Sequence, residues 1–184
     1  MEAPFIDLIN SDWSDWRGSG RREDRLDNPS WVDKFLSKWG LQVPPGEGPR
    51  LSSVLKDLRA VVASEVKRVQ SGESLSPEGI SRLDAAISGV RYRNHLSDSP
   101  HFGVESEPEN KDSDWVVAQI AESFVDVLLK GDPKRLKICA NPECGWLFYD
   151  DSRAMSRVWC DSRVCGNLMK VRRFRERSKK ETSR

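Results

Sequence analysis

Cysteine is absent from the first 138 residues of this 184-residue chain, and histidine occurs only twice, as His95 and His101. No disulfide can tie that stretch, and a metal site built there would rest on two imidazoles, which read instead as surface or packing residues. No apolar run approaches the roughly 20 residues that a membrane-spanning helix needs. The sequence has no glycine-rich phosphate loop, no nucleophile elbow and no HExxH pair, and its many carboxylates lack distinctive spacing. It therefore reads as a non-enzyme. Nothing near Met1 resembles an export signal, because Asp7 interrupts Phe5, Ile6, Leu8 and Ile9, so the expected location is the cytoplasm.

What is present is concentrated. All four cysteines lie near the C-terminus as Cys139, Cys144, Cys160 and Cys165, in the spacing C-x4-C-x15-C-x4-C. Four soft thiolates in two matched pairs suit one tetrahedral zinc ion, a structural site with no position left for water. Two disulfides are the alternative, and they require an oxidising compartment. The expected cofactor is one structural zinc per chain.

A net charge of +1 conceals a strong polarity. Residues 134–184 carry fourteen Lys or Arg against six Asp or Glu, a balance of +8, which leaves −7 for the rest. An acidic body with a basic tail points to a polyanionic partner, with a tail folded onto its own body as the alternative.

The chain divides into a helical body, residues 1–131, and a finger with a basic C-terminal helix, residues 132–184. In the body, Asn28 before Pro29 reads as the N-cap of a helix bearing Trp31, Val32, Phe35, Leu36 and Trp39 and ended by Gly40. Leu51, Val54, Leu55, Leu58, Val61, Val62, Val66 and Val69 recur at helical spacing for about five turns. Ser76-Pro77 opens a shorter helix with Ile80, Leu83, Ala86 and Ile87 inward. Residues 90–104 read as a small hairpin turning over 97–100, and 105–112 as a surface loop. Ser113 or Asp114 caps a second long helix through Trp115, Val116, Ile120, Phe124, Val127 and Leu128. Residues 11–27 form a polar stretch without assigned structure. The fold class is mainly α: a multihelical N-terminal domain with a small β-hairpin, followed by a treble-clef-like four-cysteine finger.

Several runs resemble the CGNR zinc finger: Cys139-Ala140-Asn141-Pro142-Glu143-Cys144, Trp146-Leu147-Phe148-Tyr149-Asp150, Arg157-Val158-Trp159-Cys160, and Cys165-Gly166-Asn167 with the basic run from Lys170. Leu168 stands where the motif has its arginine. Proteins with this finger carry an N-terminal ABATE domain, which residues 4–130 resemble in length, position and the opening Phe5-Ile6-Asp7-Leu8-Ile9-Asn10. The resemblance implies a stress-response regulator of transcription.

In the finger, Gly166 is expected to let the backbone approach sulfur, and Asn167 to satisfy an orphan donor. On the following helix, Val171 and Phe174 are expected to pack on Trp159 and the hairpin aromatics. Lys170, Arg173, Arg177 and Lys180 then form one basic stripe, with Arg172, Arg175 and Lys179 beside it. Arg153, Arg157 and Arg163 add to that face, and duplex DNA is the expected partner. A single finger reads little sequence, so a homodimer is the expected assembly. Trp13, Trp16 and Arg17 sit in a segment too polar for core. They are candidates for contact with a small-molecule effector or protein partner, or for docking within the chain.

Overall fold

The computed structural model describes residues 1–98 and 102–182. Six α-helices account for nearly half of them: α1 (Pro4–Ile9), α2 (Pro29–Trp39), α3 (Gly48–Gln70), α4 (Pro77–Ser88), α5 (Ser113–Lys130) and α6 (Asn167–Thr182). Three antiparallel hairpins interrupt them: β1 (Asp12–Ser14) with β2 (Arg22–Asp24), β3 (Tyr92–Ser97) with β4 (Gly103–Pro108), and β5 (Leu136–Ile138) with β6 (Leu147–Tyr149). The architecture is the mainly α fold expected, with more hairpins than the sequence announced. Among the described residues no helix is long and apolar enough to cross a membrane.

Local cap chemistry sets the helix limits. Asn28 accepts a hydrogen bond from the Trp31 amide at the start of α2, and Gly40 ends it at φ +66°, where a Cβ would be strained. Ser76 accepts from the Gly79 amide to start α4, and buried Glu65 on α3 in turn accepts from the Ser76 hydroxyl at 2.6 Å. Helix α5 begins one residue earlier than expected, because the Asp112 carboxylate takes the amides of Asp114 and Trp115. Ile80, expected inward, is exposed, so α4 buries only a narrow stripe around Leu83.

The body core forms where α1, α3 and α5 meet. Phe5, Leu8, Leu55, Val62, Val116, Ile120 and Phe124 are wholly shielded from water. Phe5 meets Phe124 edge to face at 5.2 Å, a contact worth about 0.5–1.5 kcal/mol beyond the area it buries. Residues 11–27 are not an irregular linker. They fold as the β1–β2 hairpin and one tight turn, held by Arg59 of α3, which grips Asp24 through two hydrogen bonds of 2.8 and 2.6 Å.

The β3–β4 hairpin bears out the strands expected within 90–96 and 101–104, with Ser97, expected in the turn, still part of β3; the rest of that turn and His101 fall partly outside the described residues. Residues 105–108, expected as loop, continue β4. Glu105 lies opposite His95 and Glu107 opposite Arg93, and the opposite-charge Arg93–Glu107 pair supports a strand that is polar along its length.

The β5–β6 hairpin is fused to the body. Leu136, Leu147 and Tyr149 belong to the same buried cluster as Phe5 and Phe124. The Asn10 side chain donates to the Leu147 carbonyl at 2.9 Å and accepts from the Leu147 amide at 2.8 Å, so it pairs with β6 much as a neighbouring strand would. The Tyr149 hydroxyl accepts from the Asp132 amide at 3.1 Å and ties the hairpin to the chain leaving α5.

Candidate metal centre and basic helix

The first cysteine pair sits on a tight knuckle at the end of the β5–β6 hairpin. Cys139 donates its amide to the Trp146 carbonyl at 2.8 Å, Cys144 donates to the Asn141 carbonyl at 2.9 Å, and Gly145 turns the chain at φ +65°. The second pair follows the returning segment, which is clamped to the knuckle by an Ala140 amide to Val158 carbonyl bond of 2.8 Å. Asp161 accepts from the amides of Arg163 and Val164 and starts one wide turn, Ser162–Gly166, which carries Cys165 and hands over to α6. A Cβ at Gly166 would stand 3.2 Å from the Trp159 ring, and that ring is the reason for glycine. Asn167 is exposed, and the capping expected of it is done by Asp161.

The four sulfurs lie within 4.8 Å of one another, and Cys139, Cys144 and Cys165 are buried. Cys160 stands 3.7 Å from the Cys144 sulfur and 3.8 Å from the Cys165 sulfur. Sulfurs bound to one tetrahedral zinc at about 2.3 Å are separated by about 3.8 Å, so these spacings are ligand edges rather than disulfides. The thiol chemistry agrees. With no cation between them the cysteines cannot ionise together. Cys144 is drawn down to about 6, chiefly by a hydrogen bond from Cys160. Cys160 is pushed far up, first by that same bond, and Cys165 is pushed up to about 11, first by burial. One divalent ion resolves the conflict, and a set of four sulfurs with no open position suits a structural zinc. Cys139, Cys144, Cys160 and Cys165 would hold it. Among the described residues no other group of His, Cys, Asp or Glu is placed to hold an ion.

Two residues that no sequence argument singled out complete the centre. Asn141 is fully buried, and its amide donates to the Cys165 sulfur at 3.5 Å and to the Trp16 carbonyl at 2.9 Å. An N–H pointed at a metal-bound sulfur stabilises its negative charge and fixes its position. Asp150 is also fully buried. Burial alone would push its carboxyl up. Hydrogen bonds from Lys137, from the Ser152 hydroxyl and amide, and from the Arg157 amide outweigh it and hold the group well below the usual carboxylate range. Lys137 also donates to the carbonyls of Met155 and Arg157, so this buried pair organises residues 150–157 before the chain reaches Cys160.

Trp16 packs against the cysteines together with half-buried Trp146 and Trp159. Its guanidinium neighbour Arg17 lies over its ring at 4.6 Å, and Trp13 carries Arg25 at 5.3 Å. Trp16 thus docks the N-terminal hairpin onto the finger.

The basic residues separate into two groups. Arg157 is turned inward: its guanidinium donates to the Cys160 carbonyl at 2.6 Å, meets Asp151 at 3.1 Å and rests on the Phe148 ring at 4.8 Å. Arg172 reaches back to the Arg17 carbonyl at 2.8 Å. By contrast Lys170, Arg173, Arg175, Arg177 and Lys180 are exposed along α6, and none has a carboxylate partner among the described residues. Arg153 and Arg163 are exposed on the segment before it. Among the described residues these five α6 side chains are therefore not paired with carboxylates of the acidic body. Val171 and Phe174, expected to pack on Trp159 and the hairpin, are 46% and 64% exposed. Arg173 rather than Phe174 covers Trp159, at 6.0 Å.

Residues 2–131 match the ABATE family, whose description reads "Putative stress-induced transcription regulator", and residues 135–178 match the CGNR zinc finger. No curated protein matches the chain.

Proposed function

Because the chain belongs to the ABATE family and carries a CGNR zinc finger, we propose that it regulates transcription by binding duplex DNA through α6. One observation carries the reading. In sixteen residues α6 holds seven basic and two acidic side chains, and Lys170, Arg173, Arg177 and Lys180 lie along one exposed stripe. Like charges at such spacing repel one another, and a line of phosphates offsets that repulsion. Arginine predominates, which suits bidentate phosphate and guanine contacts. Zinc supplies structure: it anchors the turn from which α6 leaves. The body, residues 1–131, acts as the sensing element in the cytoplasm, and a pair of chains on DNA supplies the sequence specificity that one finger lacks.

Exposed Phe174 favours a second reading, in which the finger is an adaptor gripping an acidic protein surface or structured RNA. Fluorescence anisotropy with random duplex DNA separates the two. Salt-dependent binding to the duplex supports the first, and no binding at low salt while an RNA hairpin or acidic protein binds supports the second.

A further inference from the structure

A cavity of about 200 Å³ lies where the body meets the knuckle. Its walls are flat and aromatic. Trp31 and Phe35 of α2 stack at 5.3 Å with their planes 9° apart, and Trp146 of the knuckle lines the cavity with them. Its polar lining is Arg25, Lys34 and Lys38 with Asn10 and one carboxylate, Asp7. Lys38 is already engaged by Asp7 at 2.7 Å and Glu2 at 3.0 Å, and Asp7 also accepts from the Trp39 ring nitrogen. Lys34 and Arg25 differ, with Glu23 acting on Arg25 only through its charge. Among the described residues neither has an ion-pair partner, and the Arg25 side chain has no hydrogen-bond partner. Arg25 is held between the rings of Trp13 at 5.3 Å and Trp146 at 5.9 Å, partly withdrawn from water, and that burial lowers its pKa. A guanidinium fixed by two aromatic faces has its N–H fork left to donate.

We propose that this cavity binds a small planar aromatic carboxylate, its carboxylate on Arg25 and Lys34 and its ring against Trp146 and the Trp31–Phe35 pair. The fork of an arginine matches a carboxylate edge in two parallel hydrogen bonds. The volume lies below the roughly 300–1,000 Å³ of sites for drug-sized ligands, so a nucleotide does not fit. The site is distinct from the Trp13, Trp16 and Arg17 candidates, since only Trp13 touches it, through Arg25. As a sensing device it rests on the regulatory reading above. A ligand there contacts the body through Arg25 and the finger through Trp146, two residues from Cys144.

The zinc-loaded full chain is titrated with benzoate, with benzamide and inorganic phosphate in parallel, by calorimetry and tryptophan fluorescence. No DNA is present, so the result is independent of whether the chain binds DNA. Saturable one-site binding of benzoate is expected, with benzamide and phosphate weaker by about tenfold or more. Arg25→Gln is expected to lose about tenfold or more in affinity while keeping its zinc and its circular dichroism. Exposed Lys34→Gln serves as a second variant that leaves the fold untouched, with a loss of several-fold expected. Absence of saturable benzoate binding up to tens of millimolar overturns the proposal. So does equal binding of phosphate or benzamide, and so does parental affinity in Lys34→Gln together with a folded Arg25→Gln.

Discussion

Asn141 and Cys165 lie 24 residues apart in sequence, yet the amide nitrogen of one stands 3.5 Å from the sulfur of the other. The same nitrogen is 2.9 Å from the carbonyl of Trp16, 125 residues away. A single NH2 group thus joins a metal ligand to the N-terminal hairpin.

Replacing that group is expected to weaken metal binding without unfolding the chain. Asn141→Ala should lose about 10–100-fold in zinc affinity, the usual effect of removing a hydrogen bond to a ligand. Competition with a chromophoric chelator measures it. The Trp16 carbonyl is left without its donor in the same variant, so a change in tryptophan fluorescence should accompany the weaker binding.

Zinc removal is expected to reach the body. Metal contributes on the order of 10–16 kcal/mol to folding an isolated finger peptide. Here the hairpin that carries Cys139 and Cys144 also buries Leu136, Leu147 and Tyr149 in the body core. Chelation should therefore lower the midpoint of the whole unfolding transition and expose amides of α1 to hydrogen exchange. A body that melts unchanged without zinc would show that the two parts are energetically separate.

The Asn10 to Leu147 pair tests the same coupling from the other side. Asn10→Ala leaves both polar groups of Leu147 without their partner, and a drop of about 1–3 kcal/mol is expected in urea unfolding.

Charge reversal at Arg173 and Arg177 is expected to weaken duplex binding by a similar factor for every sequence, because interactions with phosphate carry no base information. Each phosphate left unneutralised should flatten the slope of log affinity against log salt by about 0.9. Unchanged affinity and slope would remove α6 as the docking surface. Arg157 offers a contrast: it is turned into the finger, so Arg157→Gln should destabilise zinc retention more than it alters the salt slope.

Acid stability follows from Asp24. Its hydrogen bond from Arg59 is the main cause of a pKa below the usual value, so this carboxylate stabilises the fold above its unfolded pKa of about 3.9 and loses that contribution as pH falls through the lower folded value. Asp24→Asn should be less stable than the parent at neutral pH and approach it below about pH 4. Parallel curves across that range would contradict the linkage.

Legibility in the sequence tracked distance along the chain. Asn28-Pro29, Gly40 and Ser76-Pro77 were readable because a cap acts within one helical turn. The four cysteines were readable because their chemistry tolerates few alternatives. Asn10 and Asn141 were not, since their partners lie 137 and 125 residues away and asparagine in a turn looks the same whatever it touches. Glu105 and Glu107 looked like loop because a strand exposed on both faces lacks the alternation that marks a half-buried one. Phe174 misled for the opposite reason: helical periodicity identifies a face but says nothing about whether anything lies beneath it.

Helix α6 is also a lever. Its sixteen residues extend about 24 Å at 1.5 Å per residue, and its root is the turn that carries Cys165. A tilt of about 10° at that root sweeps the far end through about 4 Å, comparable to the 3.4 Å rise of one base-pair step. The Arg172 to Arg17 hydrogen bond straps the helix close to its pivot, where a small displacement corresponds to a large change of angle. Small displacements of the N-terminal hairpin are thus magnified along the helix, and the lysines near its tip travel farthest.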